Sequence, residues 1–331
     1  MNTTPKNLSP SGDTEKTQTS VGGNPSVEKS VTSVVSEIID LPSGKELSEF
    51  EAVSLANARP IRWVVVAGPV SCGKTTLLIS LYELFQWEPV AGHLFAGSNT
   101  LPALEQRCFL SRTASENNVP DTQRTFYNDG DEPTYLHLRV CAEASRNKPI
   151  DFLFTDVSGE MYEHARDSTE RCKELTCLHR ASNFLLLLDC EKGVSIDKRW
   201  AMAEDGKTLL QSCLDSEMLS NDCVVNVIWS KFDYFVAAKN KVQHQAFRKG
   251  VQKGFMERFG QRVAHLKFGE IAARPTKAPR LGFGYGVADL LNGWMTNYPK
   301  MRDMVLLQQS TAGTRESELF AIRRYSTLSK P

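Results

Sequence analysis

The sequence predicts an α/β fold of three layers: a mostly parallel sheet with one antiparallel strand, and helices on both faces. Three observations carry that expectation. Apolar runs of strand length alternate with helix-length segments between residues 61 and 300. The first run, "IRWVVVAG", is β-branched, ends in glycine, and leads at once into a helical pattern. The junction itself, Gly68-Pro69-Val70-Ser71-Cys72-Gly73-Lys74-Thr75, fits G-x-x-x-x-G-K-[ST].

Residues 1–45 are dominated by Ser, Thr, Pro, Gly, Lys and Glu, too little apolar surface for a core, so a disordered tail is expected. Residues 46–60 form a lead-in, with "KELSEFEAVSLANA" (45–58) read as a short helix. The main domain is expected over 61–300. Its first strand is followed by a helix in which Leu77, Leu78, Leu81, Leu84 and Phe85 recur at helical spacing. "YLHLRV" (135–140) alternates and "IDFLFTD" (150–156) follows it. The two read as antiparallel neighbours joined by a turn containing Asn147 and Pro149. "NFLLLLD" (183–189), "CVVNVIWS" (223–230) and "LKFGEIAA" (266–273) are further strands, with helix-length segments around 166–180, 198–217 and 241–259. In "YGVADLLNGWM" the residues Val287, Leu290, Leu291, Trp294 and Met295 share one helical face. Residues 301–331 read as a helix end and a flexible tail. The stretch 88–133 is long for a plain connection and contains a helix-like portion. It reads either as an insertion that meets a protein partner or as an elaboration that packs on the domain.

Lys+Arg and Asp+Glu are equal at 39 each, so no net basic field points to nucleic acid or an anionic membrane. Eight cysteines form no C-x-x-C pair and six histidines show no ligand spacing, so buried free thiols are expected rather than disulfides or zinc. The longest apolar stretch, "FLLLLDC", is far too short to span a bilayer. Neither a secretory signal nor a transit-peptide bias is evident, and a cytoplasmic protein is expected.

A polyphosphate needs many donors in a small volume. Glycines let the backbone curl so that N–H groups point inward, and a helix N-terminus adds positive potential. The loop from Gly68 through Ser71, Cys72 and Gly73 to Lys74, Thr75 and Thr76 has that composition. Lys74 would supply charge to the terminal phosphates, and the Thr75 hydroxyl suits Mg²⁺. Cys72 is either packing or a thiol made reactive by Lys74. A second magnesium group belongs at a neighbouring strand tip, where "DFLFTDVSGE" provides Asp156 and, in a D-x-x-G spacing, Gly159. The N–H of Gly159 could approach a γ-phosphate. The alternative is a strand-end aspartate capping a turn. "VVNVIWSKFDYF" places Ser230, Lys231 and Asp233 at the end of another strand. Guanine offers two adjacent donors that one carboxylate accepts, whereas adenine presents an acceptor there, so Asp233 favours GTP. A surface aspartate without a ligand is the other reading. "EIAARP" puts Ala272, Ala273 and Arg274 at a strand end, where backbone donors could meet the guanine O6.

These elements, in this order from 68 to 274, resemble the motifs of TRAFAC-class P-loop GTPases, the Ras-like and translation-factor-like enzymes. More narrowly, "GPVSCGKTTLL", "LFAGSNTLPALE", "PDTQRT", "FTDVSGE" and "IAARP" are similar to bacterial TRAFAC-clade proteins of the double-GTPase type, predicted components of conflict and defence systems. The resemblance implies a Ras-like P-loop NTPase sheet and a GTP/GDP and Mg²⁺ site. In it Lys74 and Thr75 match the phosphate lysine and metal ligand, Asp156 the outer metal aspartate, and Gly159 the γ-phosphate glycine. Lys231 would pack over the base, Asp233 bind it, and Ala273 donate to O6. The switch threonine, also a metal ligand, is assigned to Thr125, with Thr122 the alternative. Arg124 beside it is either an internal arginine finger or a solvated loop residue. Two departures stand out. Ser230 replaces the usual Asn or Thr. Glu160 stands where the water-orienting glutamine is usual, which implies either slow hydrolysis or the use of another residue, since a carboxylate near γ-phosphate is electrostatically unfavourable unless it is protonated or turned away. The expected activity is Mg²⁺-dependent GTP hydrolysis by a conformational switch, with a partner meeting 88–133 and the segment after Asp156. A non-hydrolysing scaffold and a P-loop ATPase or kinase are the alternatives.

Overall fold

The computed structural model describes residues 44–109 and 132–296. Most of the expected N-terminal tail, the expected C-terminal tail, and Thr122, Arg124 and Thr125 lie outside the described residues. Helix α1 (Glu49–Ala58) starts with a capping box between Ser48 and Glu51. It leads into β1 (Ile61–Ala67) and, past the glycine loop, α2 (Lys74–Trp87). Next come β2 (His93–Gly97), α3 (Leu101–Phe109), β3 (Thr134–Ala142) and β4 (Ser145–Asp156). They are followed by α4 (Gly159–Asp167), α5 (Thr169–Glu174), a 3₁₀ turn at Thr176–Arg180 and β5 (Asn183–Asp189). After α6 (Cys190–Gly193) and α7 (Arg199–Asp215), the chain runs through β6 (Val224–Ser230), α8 (Asp233–Ala237) and α9 (Lys241–Phe259). It continues through β7 (His265–Glu270) to α10 (Val287–Thr296).

The seven strands lie in the order β2-β3-β4-β1-β5-β6-β7. From β4 to β7 every pairing is parallel, while β3 pairs antiparallel with both β2 and β4, so it alone runs against the rest. Strands β1, β5 and β6 are covered on both faces, as their continuous apolar runs require. Alternate residues of β1 enter opposite cores. Trp63, Val65 and Ala67 pack with α4, α7 and α9, whereas Val64 and Val66 pack with α2, α3 and α10. Helix α9 contributes Phe247, Val251, Phe255 and Phe259, one residue every four, a stripe worth roughly 2 kcal/mol per buried side chain.

From β1 the chain travels to one side of the sheet, through β2 to β4, and then crosses over β1 to β5 on the other side. The carboxyl end of β1 is therefore the topological switch point, where α/β sheets open a crevice.

The structure differs from expectation in three places. The hairpin turn is Glu143-Ala144, between paired Ala142 and Ser145. Asn147 and Pro149 belong to β4, in the part that β1 does not reach, where a missing N–H is tolerated. The segment expected as one helix over 166–180 starts earlier, at Gly159, and is broken. The Ser168 hydroxyl caps α5 by accepting the Arg171 N–H at 3.3 Å. Strand β2 was not anticipated, because an edge strand with half-buried residues has no strong apolar pattern.

Candidate nucleotide site

The loop after β1 curls as its glycines allow. Gly68 has φ +151° and Gly73 φ +98°, and Ser71 also adopts φ +61°, a costly conformation for a residue with a Cβ. The first bond of α2 runs from Leu77 N–H to Gly73 O, so the N–H groups of Lys74, Thr75 and Thr76 fall outside the helix's own ladder, and Gly73 brings no side chain to cap them. Lys74 folds back over the loop, its Nζ donating to the Gly68 and Pro69 carbonyls at 2.9 and 3.1 Å. Cys72 turns the other way. It is fully buried, and burial pushes its thiol up from the usual range. The reading of Cys72 as a reactive thiol is thereby corrected, since Lys74 does not offset the loss of solvent. All eight cysteines are buried free thiols.

Helix α4 leans on this loop. Ser158 caps it, and a Cβ on Gly159 would come within 2.7 Å of the Pro69 carbonyl carbon and closer still to the Val70 backbone. Only glycine fits there. One helical step on, Glu163 Oε1 accepts the Val70 N–H at 3.2 Å, and the Lys74 ammonium lies 5.8 Å from the centre of the Tyr162 ring. Gly159, Tyr162 and Glu163 thus form one face of α4 against the loop. Glu160 sits half-buried in the first turn of the same helix.

Asp156, buried at the end of β4, is engaged by the Arg107 guanidinium from α3, which also grips Glu46. Neither Arg107 nor Glu163 was expected from sequence. The one signal for Arg107 is its place beside Ala103, Leu104 and Cys108 on the buried face of α3, where an arginine demands a buried partner.

At the far end of the switch-point edge, Ser230 is buried and its hydroxyl donates to the Leu188 carbonyl at 3.3 Å. Lys231 adopts φ +50° and bridges Asp189 at 3.1 Å and Glu191 at 2.6 Å. Burial would lower the Lys231 ammonium's pKa, but its bond to Glu191 and the charge of Asp189 more than compensate and raise it. Asp233 is buried, and its Oδ2 accepts the N–H groups of Thr276 and Lys277, both at 2.9 Å. Its other oxygen takes no hydrogen bond from the described residues. The Ala273 carbonyl accepts from Gly284 at 3.0 Å, while its own N–H donates to nothing among the described residues. Arg274 turns away to Glu83. Asp189 and Glu191 were not singled out from sequence, although Asp189 shows the same signature as Asp156, an aspartate ending an apolar strand.

The edge therefore offers an amide-lined loop with a lysine at β1, a carboxylate at β4, and a fixed carboxylate with one open oxygen after β6. Among the described residues no group of three His, Cys, Asp or Glu is placed to hold a metal ion. A hydroxyl and one carboxylate suit Mg²⁺ that takes its remaining ligands from phosphates and water. No helix of the described residues is long and apolar enough to cross a membrane.

A search of curated proteins finds no match to the chain. The sequence model of the Double-GTPase 2 family matches residues 62–295, from β1 through α10, taking in the phosphate loop, Asp156, Gly159, Lys231 and Asp233. With a P-loop GTPase fold and a match over most of its length, the chain belongs to the Double-GTPase 2 family, whose GTPase domain binds guanine nucleotide.

Proposed function

We propose that this domain binds GTP with Mg²⁺, hydrolyses it slowly, and changes conformation between the two nucleotide states. The observation that carries this reading is the packing of α4 on the phosphate loop through Gly159, which ties that helix to the place where a γ-phosphate would come and go.

The loop amides from Ser71 to Thr76 would cradle the phosphates, and Lys74 would leave its carbonyl partners to neutralise the terminal ones. Thr75 and Asp156 would hold Mg²⁺, the latter through water; when bound, the ion would neutralise charge developing on the β- and γ-oxygens. The Gly159 N–H would donate to the γ-phosphate. Asp233 would accept from the guanine N1–H and N2 amine, Lys231 would cover the base, and the Ala273 N–H would donate to O6. Thr125, or Thr122, would close over the metal, with Arg124 neutralising charge from the same loop. Rate enhancement would come from positioning and electrostatics, without a covalent intermediate. Glu160 in the first turn of α4 supports a slow intrinsic rate, and equally a second reading in which the protein is a nucleotide-dependent scaffold that does not turn over. A protein effector would meet 88–133 and the segment after Asp156, in a cytoplasmic bacterial conflict or defence setting.

Multiple-turnover phosphate release tests the reading. GTP should be consumed in preference to ATP, and Lys74→Ala should abolish both turnover and binding. Tight GTP binding without release would favour the scaffold, and preference for ATP would overturn the guanine assignment.

A further inference from the structure

We propose that Arg107 is a positioning residue that stands in for the metal's charge at Asp156 and links metal occupancy to the segment that precedes α1. The inference rests on the metal reading given above.

Asp156 is a carboxylate closed in at the end of β4, its side chain only 3% exposed, and such a group needs a cation or several donors. Arg107 supplies one. Its Nη2 bonds Asp156 Oδ2 and its Nη1 bonds Glu46 Oε1, so a single planar fork bridges β4 and the lead-in. The arginine is 11% exposed, against 27% for Glu46, so one partner lies deep and the other near water.

The mount of α3 makes this contact a built one. Ahead of the helix, Asn99 N–H donates to His137 Nδ1 at 2.9 Å, and Ser98 Oγ donates to the His137 carbonyl at 2.6 Å. The His137 N–H donates to Thr100 Oγ1 at 2.9 Å. Within the helix, Ala103 N–H donates to the Gly44 carbonyl at 3.0 Å, beside the bridge between Leu47 and Tyr135. Ala103, Leu104 and Cys108 are buried against the α2 side of the sheet. Gly44, Glu46 and Leu47 are therefore fastened to the body through α3 and β3.

A divalent cation and a guanidinium at one carboxylate repel each other, and each lowers the other's hold on it. Loading the metal would shift Arg107 toward Glu46, and strengthening the grip of Arg107 on Asp156 would weaken the metal by the same factor. The two partners of Arg107 therefore predict effects of opposite sign. Arg107→Ala removes the competitor, while Glu46→Gln leaves the arginine with Asp156 as its one charged partner in the bridge.

The test is a Mg²⁺ titration of the full-length protein's complex with fluorescent GDP, read as nucleotide dissociation rate. Thermal unfolding with and without Mg²⁺ is measured in parallel. Arg107→Ala should tighten the apparent Mg²⁺ affinity by roughly five- to tenfold, the low end of the usual coupling between sites, and Glu46→Gln should weaken it by roughly fivefold. Arg107→Ala should also lower the metal-free unfolding temperature more than the metal-loaded one. Should Arg107→Ala fail to fold, the weakening by Glu46→Gln, whose side chain is partly solvated, decides alone. Variants that shift the Mg²⁺ affinity in the same direction, or leave it unchanged, overturn the role of Arg107. Wild-type GDP release that ignores Mg²⁺ overturns the metal reading itself.

Discussion

The carboxylate of Glu163, on α4, accepts the backbone N–H of Val70 in the phosphate loop at 3.2 Å. An anionic side chain thus occupies a donor on the loop that the proposed reading assigns to the phosphates. Helix α4 is held at its other end as well, by an Arg166–Asp205 ion pair at 3.1 Å and by Ser212 Oγ donating to the Arg166 carbonyl at 2.7 Å, both from α7. Glu163 should therefore resist arrival of a γ-phosphate while tolerating a diphosphate. Glu163→Gln is expected to raise affinity for GTP relative to GDP by about tenfold, the scale of one like-charge repulsion across roughly 10 Å near a protein surface. Competition binding with the two nucleotides measures the ratio, and an equal change in both affinities would dismiss this role.

Gly159→Ala addresses the same contact sterically. The added methyl would meet the Val70 backbone, which cannot rotate away as a side chain would. Overpacking of this kind should cost about 2 kcal/mol of stability in denaturant unfolding. GDP binding should survive, because the loop amides from Ser71 onward are untouched, whereas GTP turnover should fall. Undiminished turnover would mean that α4 works without touching the loop.

Asp233→Asn should redirect base preference, and its surroundings say how. Two backbone donors, from Thr276 and Lys277, face Oδ2, so the asparagine carbonyl must point to them and the amide nitrogen to the ligand. A donor would then oppose the guanine amine and complement the O2 of xanthine. Loss of GTP affinity by roughly a hundredfold, with a gain for xanthosine triphosphate, is expected for a site built around one hydrogen-bonding pattern. Unaltered discrimination would remove Asp233 from the base site.

Asp151 anchors the mount of α3. His137 Nδ1 accepts from Asn99, so Nε2 carries the proton and donates to Asp151 Oδ1 at 2.8 Å. Burial pushes the Asp151 carboxyl up, but the bond from His137 and the charges of Arg59 and Arg139 outweigh it and leave the group below the usual carboxylate range. A depressed folded-state pKa contributes stability above the unfolded value, near 3.9, and that contribution disappears as pH falls through the folded value. Asp151→Asn should cost about 2 kcal/mol at neutral pH. Its deficit relative to wild type should shrink steadily below about pH 4. A deficit independent of pH would show that packing, not charge, matters there.

The parts of the site legible in the sequence are those set by short-range geometry. A β-branched run, two glycines, a lysine and a helical stripe within 61–85 define the strand, the amide loop and the helix start, because each depends on neighbours a few residues away. Asp156, which ends β4, and Asp233, which opens α8 just past β6, were legible for a related reason, since polar residues at or just beyond the ends of apolar strands fall at one edge of a parallel sheet. What only the tertiary structure decided is which distant groups meet there. Arg107 reaches Asp156 because the sheet order sets β4 beside β3, on which α3 is mounted. Glu163 reaches Val70 because the crossover lays α4 over β1. Lys231 pairs with Asp189 because β5 and β6 end in register. No local pattern encodes these pairs. Each is fixed by strand order, and strand order follows from burying two apolar faces at once.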